Sequence, residues 1–231
     1  MVGGAGILPG AWELRREYSM NRSFFAIGAM AAAVAANAGT VEIYQTAFSS
    51  GSGGEFQSYL TGAAFTPTSL TGNGVETFCI ERSEQFQPGA TYNFSIETAA
   101  MGGGGGSIAG QDPLDERSAY IYDLFITGNL PGYDYGNGSG LRQANAASLQ
   151  NVLWYIEEEA ATLDSADAVT WYNLSANGIG QGLGNVRVLH VFTLDSNGAE
   201  VPSQDQIIRV PSSGSVALLG LAGLVAARRR R

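Results

Sequence analysis

Apolar and polar positions alternate along the first half of the chain with the two-residue period of β-strands. The alternation predicts four strands, over residues 41–48, 56–65, 75–82 and 91–97, bounded by stretches rich in Gly, Pro, Asn and Ser. The last two strands are joined through a Pro-Gly turn at 88–89, so we expect them to form a hairpin or to be neighbours. Tyr92, Phe94 and Ile96 fall on one face of the fourth strand.

The period changes after five consecutive glycines at 102–106. Asp112 followed by Pro113 and by acidic residues is typical of a helix start, with Asp112 as the N-cap and Pro113 in the first turn. We expect this first helix to continue to about Thr127, because Gly128 and Pro131 follow.

Two more helices are predicted before the last strands. The second covers 141–161, with an apolar stripe and a solvated end at 157–159; the stripe consists of Leu149, Val152, Leu153 and Ile156. The third is short, is capped by Asp164 or Ser165, and continues through Trp171. Two strands, 186–194 and 206–210, complete the order.

Strands, then helices, then strands predict a mainly β, α+β domain over residues 39–205: a β-sandwich or barrel-like fold with a helical insertion. The composition agrees with one domain, since the 231 residues are 45% hydrophobic and only 14% charged, with 32 glycines. A low-charge, Gly-rich and aromatic-bearing chain is typical of an extracellular β-rich domain.

The charge pattern narrows the choice of partners. The formal net charge is -9, and seven of the twelve basic residues lie near the two ends of the chain. Such an acidic central region disfavours nucleic acid and anionic membranes as partners. All twelve basic residues are arginines. With a single Cys and a single His the usual zinc site cannot be assembled, and no cofactor is expected.

The N-terminal region has the order of a secretory signal peptide. Met20-Asn21-Arg22 is short and basic, 23–36 is small and apolar, and Ala36-Asn37-Ala38 is a small-x-small cleavage site. We expect a signal peptide over 20–38, cut by signal peptidase after Ala38. Residues 1–19 do not fit this pattern, which predicts that the true start is Met20.

The C-terminal segment 210–231 has three parts: Val210-Pro211-Ser212-Ser213-Gly214, an apolar run at 216–227, and four arginines. As a helix, the run would be about 18 Å long against about 30 Å of bilayer hydrocarbon. This order resembles the PEP-CTERM class of bacterial sorting tails, in the variety that begins Val-Pro-Asp-Ser-Gly, with Ser212 in place of Asp. The resemblance implies transient passage through the inner membrane, removal of the tail by an exosortase, and release to the cell surface, outer membrane or exopolysaccharide matrix. A simple transmembrane tail anchor is the alternative.

Cys79 has no second cysteine to pair with, which calls for an explanation in an exported chain. It lies in the predicted strand as Phe78-Cys79-Ile80-Glu81. On the second helix, Gln150 and Trp154 are four residues apart and share one face. By themselves these residues also fit an exposed helix glutamine and a core tryptophan.

Together the two segments resemble the thioester domains of bacterial surface proteins, which show aromatic-Cys-apolar-acid and later Gln-x-Ala-Ile-Trp. Here Glu81 is the acid, and Val152 and Leu153 replace Ala and Ile. The resemblance implies that the Gln150 side chain acylates the Cys79 sulfur with loss of ammonia, in a pocket formed by Phe78, Glu81 and Trp154. We expect the aromatic residues to keep water from the bond.

A thioester of this kind makes the protein a single-use covalent binder rather than a turnover enzyme. Its expected target is an amine- or hydroxyl-bearing surface or matrix polymer. The absence of lysine removes one competing nucleophile from the chain itself. Two alternatives stay open: a non-covalent matrix- or carbohydrate-binding β-sandwich, and a hydrolase in which His190 serves Cys79 as base.

Overall fold

The computed structural model describes residues 39–211, except 52, 102–106, 108–109 and 137–139. The strands are β1 (Gly39–Ser50), β2 (Gly53–Thr61), β3 (Val75–Cys79), β4 (Thr91–Glu97), β5 (Ala99–Met101), β6 (Gln111–Pro113), β7 (Val186–Leu194), β8 (Glu200–Pro202) and β9 (Gln206–Arg209). The helices are α1 (Glu116–Ile126), α2 (Leu141–Ile156) and α3 (Ala166–Ser175), the last followed by a 3-10 turn, Ala176–Gly178.

Six of the strands form a closed antiparallel barrel in the order β4-β1-β2-β3-β9-β7, and pairing of β4 with β7 closes it. The short β8 extends the edge of β7, and β5 and β6 form a separate two-stranded ribbon. The predicted fold class, mainly β with a helical insertion, is therefore confirmed, with a barrel as its form. Closure satisfies the backbone groups that open sheet edges would leave unpaired.

Apolar side chains form two layers, one inside the barrel and one between the barrel and the helices. All six barrel strands contribute to the inner cluster: Val41, Ile43, Phe56, Val75, Cys79, Tyr92, Phe94, Ile96, Leu189, Val191 and Ile208, joined by Trp154 from α2. The outer cluster joins Phe78, Val188 and Ile207 to the buried faces of the three helices. Because neighbouring strand residues point to opposite faces, each strand serves both layers.

The expected pairing of the third and fourth strands is wrong. β3 pairs with β2 and β9, whereas β4 pairs with β1 and β7. The long β1 pairs with β2 on one edge and with β4 on the other. β4 therefore lies beside β1, and the segment after β3 does not form a local hairpin with it. The third strand also ends at Cys79, three residues earlier than predicted.

The N-cap of the first helix is Asp115 and not Asp112. The Asp115 carboxylate accepts the backbone N–H of Arg117 at 2.7 Å. Asp112 and Pro113 lie in β6 instead, where Asp112 faces Ala100 of β5. Both positions carry a capping residue type, and the ladder with β5 holds the earlier one in an extended conformation.

The second helix keeps its predicted apolar stripe but ends at Ile156, and its expected solvated end is partly buried. Glu157 is 5% exposed, and its carboxylate accepts the backbone N–H of Asp115, the N-cap of α1. Burial raises the pKa of Glu157 to about 8. The third helix starts at its predicted cap, Ser165, whose hydroxyl accepts the N–H of Ala168.

Several sequence-based expectations fall outside the described residues. These are the signal peptide with its cleavage after Ala38, the start at Met20, and the sorting segment from Ser212 onward, including Ser213 and Gly214. Of that segment, Val210 and Pro211 are described, and Val210 donates its N–H to the carbonyl of Asn185. Within the described part of the chain, none of the helices has the length and apolarity needed to cross a membrane.

Candidate functional site

Cys79 is the last residue of β3, and its side chain points into the barrel interior. It is fully buried and carries a free thiol. Burial raises the pKa of this thiol to about 12, although the Gln206 amide, which donates from Nε2 to Sγ at 3.5 Å, acts in the opposite direction. The thiol is therefore neutral at ordinary pH and shielded from solvent reagents.

Gln150 lies on α2, is only 1% exposed, and contacts the backbone of Cys79 with both ends of its side-chain amide. Nε2 donates to the carbonyl oxygen of Cys79 at 2.7 Å, and Oε1 accepts the N–H of Cys79 at 3.1 Å. Oε1 also accepts the N–H of Gly54 at 3.3 Å. Two donors and one acceptor fix which end of the amide is oxygen. Gln150 is therefore not an exposed helix glutamine.

The Gln150 amide occupies a gap between two barrel strands. β2 and β3 pair from Ser58 and Val75 to Phe56 and Thr77, and extending this register by two residues would place Gly54 opposite Cys79. The ladder is not continued there, and the side-chain amide of Gln150 takes the place of the missing strand partner for both residues. A buried backbone N–H without a partner is costly, so this substitution holds α2 against the barrel.

Gly53 provides the room for this arrangement. A Cβ atom at Gly53 would lie 2.6 Å from Cγ of Gln150 and 2.7 Å from the Trp154 ring. Trp154 is 8% exposed, and the Arg82 guanidinium lies 5.5 Å from the centre of its ring. A cleft of about 190 Å³ borders this group, lined by Gly53, Gly54, Arg82, Ala147, Gln150, Asn151, Trp154 and Asp164. The cleft leads to the Gln150 side chain and has ample room for a small nucleophile.

A buried ion pair links the strand that carries Gly54 to the helix that carries Gln150. The Arg142 guanidinium on α2 donates from Nε and one terminal nitrogen to the two carboxylate oxygens of Glu55 on β2, at 3.0 and 2.5 Å. The hydroxyl of Tyr133 donates to the same carboxylate at 2.9 Å. Bidentate geometry and a third donor satisfy this buried carboxylate and fix the distance between the two elements.

Phe78 does not line the site as expected. It precedes Cys79 on the strand, so it points to the opposite face, where its ring packs edge-on against Phe125 with centres 5.0 Å apart. Of the two expected aromatic residues, Trp154 is the one that shares the inner cluster with Cys79.

Glu81 lies near the site but forms no side-chain hydrogen bond to Cys79 or Gln150 in the described part of the chain. It is fully buried, and its carboxyl oxygens receive no N–H or hydroxyl donor from the described residues. Burial, together with the neighbouring carboxyl of Glu84, raises the pKa of Glu81 to about 10. The surroundings of the predicted acid thus favour its neutral form.

His190 lies on the opposite face of the barrel wall from Cys79. Its neighbours in β7, Leu189 and Val191, point inward, and His190 points outward. Its Nδ1 is 2.9 Å from the Asp205 carboxylate, and Nε2 lies 3.7 Å from Glu200. Burial alone would lower the pKa of His190, but these carboxylates raise it. This geometry supports an ion-paired structural histidine and not a base for Cys79.

The sequence pointed to Cys79 and Gln150, which the structure brings into hydrogen-bond contact, but not to most of the residues that surround them. Gly53 and Gly54 belong to a Gly- and Ser-rich stretch that bounds a predicted strand, while Arg142 and Gln206 carry no local signal. The adjacent glycines before a strand were the one available clue, because glycine permits close backbone approach. Among the described residues, no group of three or more His, Cys, Asp or Glu side chains is arranged to hold a metal ion.

No family model, curated protein or solved structure matches this chain.

Proposed function

We propose that this protein is an exported covalent adhesin that carries an internal thioester between Cys79 and Gln150. One observation carries the proposal: the amide of Gln150 is buried and clamped on the backbone of the residue whose sulfur must attack it. Fixing a glutamine side chain in this way costs conformational entropy, which an ordinary exposed helix glutamine does not lose. The ladder between β2 and β3 is also interrupted where the Gln150 amide lies.

The reaction exchanges an amide for a thioester. The Cys79 sulfur attacks Cδ of Gln150, the bond from Cδ to Nε2 breaks, and Nε2 leaves as ammonia with the thiol proton. Amides do not acylate thiols readily in water, but fixation makes the step intramolecular. Effective molarities of about 10⁵–10⁸ M are reached when the reacting groups are well oriented. Burial of the Cys79 sulfur and of Gln150, together with the Trp154 ring, limits hydrolysis of the thioester.

The second step attaches the protein to its target. An amine or hydroxyl entering the cleft beside Gly53 and Trp154 attacks Cδ, the bond from Cδ to sulfur breaks, and the sulfur regains a proton. The product is an amide or ester between Gln150 and the target polymer. Each molecule reacts once, so the protein consumes its own bond instead of turning over substrate.

Intact mass spectrometry tests the thioester directly. The purified protein is expected to be lighter than its sequence by one ammonia and to gain one methylamine on incubation with that amine. Cys79→Ala and Gln150→Glu are each expected to remove both effects, whereas Gln143→Glu, a change of the exposed glutamine on the same helix, should leave them intact. A full-mass protein whose thiol titrates once the protein is unfolded in denaturant would refute the thioester and favour the non-covalent binder.

Export and sorting form a separate part of the proposal and rest on the terminal sequences alone. We expect signal peptidase to cut after Ala38 and an exosortase to remove the tail that begins at Val210-Pro211. The N- and C-terminal peptides of protein recovered from the surface or matrix fraction test both cuts. Recovery of the intact arginine tail there would contradict the sorting step and favour a tail anchor.

A further inference from the structure

The N–H groups of Gly54 and Cys79 converge on a single atom. They belong to two strands that would pair at this level, but the ladder stops two residues earlier, at Phe56 and Thr77. Both N–H groups instead point to Oε1 of Gln150, with N···O distances of 3.3 and 3.1 Å. In both steps of the reaction proposed above, this oxygen is the atom that acquires negative charge.

We infer that the backbone N–H groups of Gly54 and Cys79 form an oxyanion hole that catalyses both formation and discharge of the thioester. The inference rests on the proposed function and adds catalytic groups to it. Fixed donors in a dry site stabilise a developing oxyanion more than they stabilise the neutral carbonyl, because they need no reorganisation.

In both steps of the reaction, electrons move onto the same oxygen, Oε1, and then return. When the Cys79 sulfur attacks Cδ, the carbonyl π electrons move to Oε1, and they return as Nε2 departs with the thiol proton. When an amine attacks the thioester, the same electrons move to Oε1 again and return as the carbon–sulfur bond breaks. The hole therefore lowers the barrier of each step, because it stabilises the oxyanion more than the neutral carbonyl on either side of it.

The fold holds this hole in place from several sides. Gly54 has a φ of +100°, a conformation that L side chains rarely adopt, so glycine is required for its N–H to point toward Gln150. The Glu55–Arg142 ion pair fixes the next residue of β2 to α2. The carbonyl of Cys79 accepts Nε2 at 2.7 Å and so orients the leaving nitrogen on the other side of the carbon.

Replacing one backbone N–H by an ester oxygen tests the inference. Translation with a hydroxy-acid-charged tRNA puts glycolic acid at position 54 of the full chain; the matched control has the hydroxy analogue of leucine at Leu60, elsewhere in β2. Formation is followed as loss of ammonia, and discharge as addition of methylamine. We expect the ester at 54 to slow both by about 10²–10³-fold relative to the wild type.

Each outcome bears on a different claim. If the ester at 54 slows the two steps no more than the ester at Leu60, the oxyanion hole is refuted while the thioester stands. If the wild-type protein has the full mass of its sequence, so that no ammonia has been lost, both proposals fail. Should the ester at 54 prevent folding, wild-type protein labelled with ¹³C at Gln150 decides: the hole predicts a thioester C=O stretch at lower frequency than in a small-molecule thioester in water. An equal frequency overturns the inference.

Discussion

Gln150 and Cys79 are joined by two hydrogen bonds between a side-chain amide and one residue's own backbone N–H and C=O. The helix residue thereby takes the role of a strand partner at the point where the barrel wall opens. This geometry places the Gln150 amide on the backbone of the residue that carries the only thiol of the chain, and both side chains are buried. The chemistry proposed for this site and the packing of α2 on the barrel therefore depend on the same contact.

The close approach at Gly53 makes a small substitution informative. In Gly53→Ala, the new methyl would overlap Gln150 and Trp154, so we expect slower or absent thioester formation and a loss of about 1–3 kcal/mol in the free energy of unfolding. Intact mass and chemical denaturation measure the two effects. Gly51→Ala is the control from the same hairpin: it strains a positive φ but has open space, so it should cost stability without slowing the reaction. Equal reaction rates in the two variants would contradict this account of Gly53.

Gln206 is expected to assist the sulfur of Cys79. Its Nε2 donates to Sγ, so Gln206→Met removes a donor that favours the thiolate. We expect thioester formation to slow by at most about tenfold, the equivalent of one ordinary hydrogen bond. The time course of ammonia loss gives the rate.

Gln204→Met is the matched control for that experiment. Gln204 is also buried, but its amide donates to the carbonyl of Glu81 and not to the sulfur. The control is expected to lose stability with an unchanged rate per folded molecule. A Gln206→Met rate equal to that of the wild type would show that the contact with Sγ has no chemical role.

The Glu55–Arg142 pair should contribute strongly to the free energy of unfolding. Arg142→Met leaves the Glu55 carboxylate buried without its cation, a loss of about 3–5 kcal/mol in the free energy of unfolding. Adding Glu55→Gln should recover part of this loss, because the uncompensated charge is gone. Denaturant unfolding of the two single variants and the double variant gives the coupling energy. A coupling energy near zero would contradict a stabilising ion pair between Glu55 and Arg142. Arg187→Met, which changes a partly exposed arginine, serves as the control.

Stability is expected to fall as pH rises from about 5 to 8. Folded Glu157, with its pKa raised to about 8, keeps a proton that the unfolded chain releases near 4.5, so folding binds a proton in this range. The contribution of Glu157 is at most about 1.4 kcal/mol per pH unit. Glu81 acts in the same direction.

Glu157→Gln should flatten this pH dependence while keeping an acceptor for the N–H of Asp115. Unfolding free energies measured across the range provide the slope. Glu158→Gln changes the exposed neighbouring acid and is the control: it should leave the slope of stability against pH unchanged. An identical slope in wild type and Glu157→Gln would show that Glu157 is ionised in the folded protein.

Local patterns predicted most of the strands and helices, because strand alternation and helix caps depend on residues that are close in sequence. β4 and β7 have the predicted bounds, and Ser165 caps its helix as expected. The errors arose where distant segments compete. Asp112 has a suitable capping side chain, but its pairing with β5 decides its conformation. Glu157 looked solvated because nothing in its neighbourhood shows that α1 begins beside it.

The sequence by itself determined which two side chains the proposed thioester would join, since there is one thiol and one glutamine in the matching motif. It also determined the alternation that builds the barrel. Only the tertiary structure decided the surroundings of that pair: Phe78 turned away, Trp154 inward, and His190 on the other face. The split between β2 and β3 that exposes the N–H groups of Gly54 and Cys79 depends on α2 inserting Gln150 there. Contacts across nearly a hundred residues leave no local pattern, because burial and register arise only when the barrel closes.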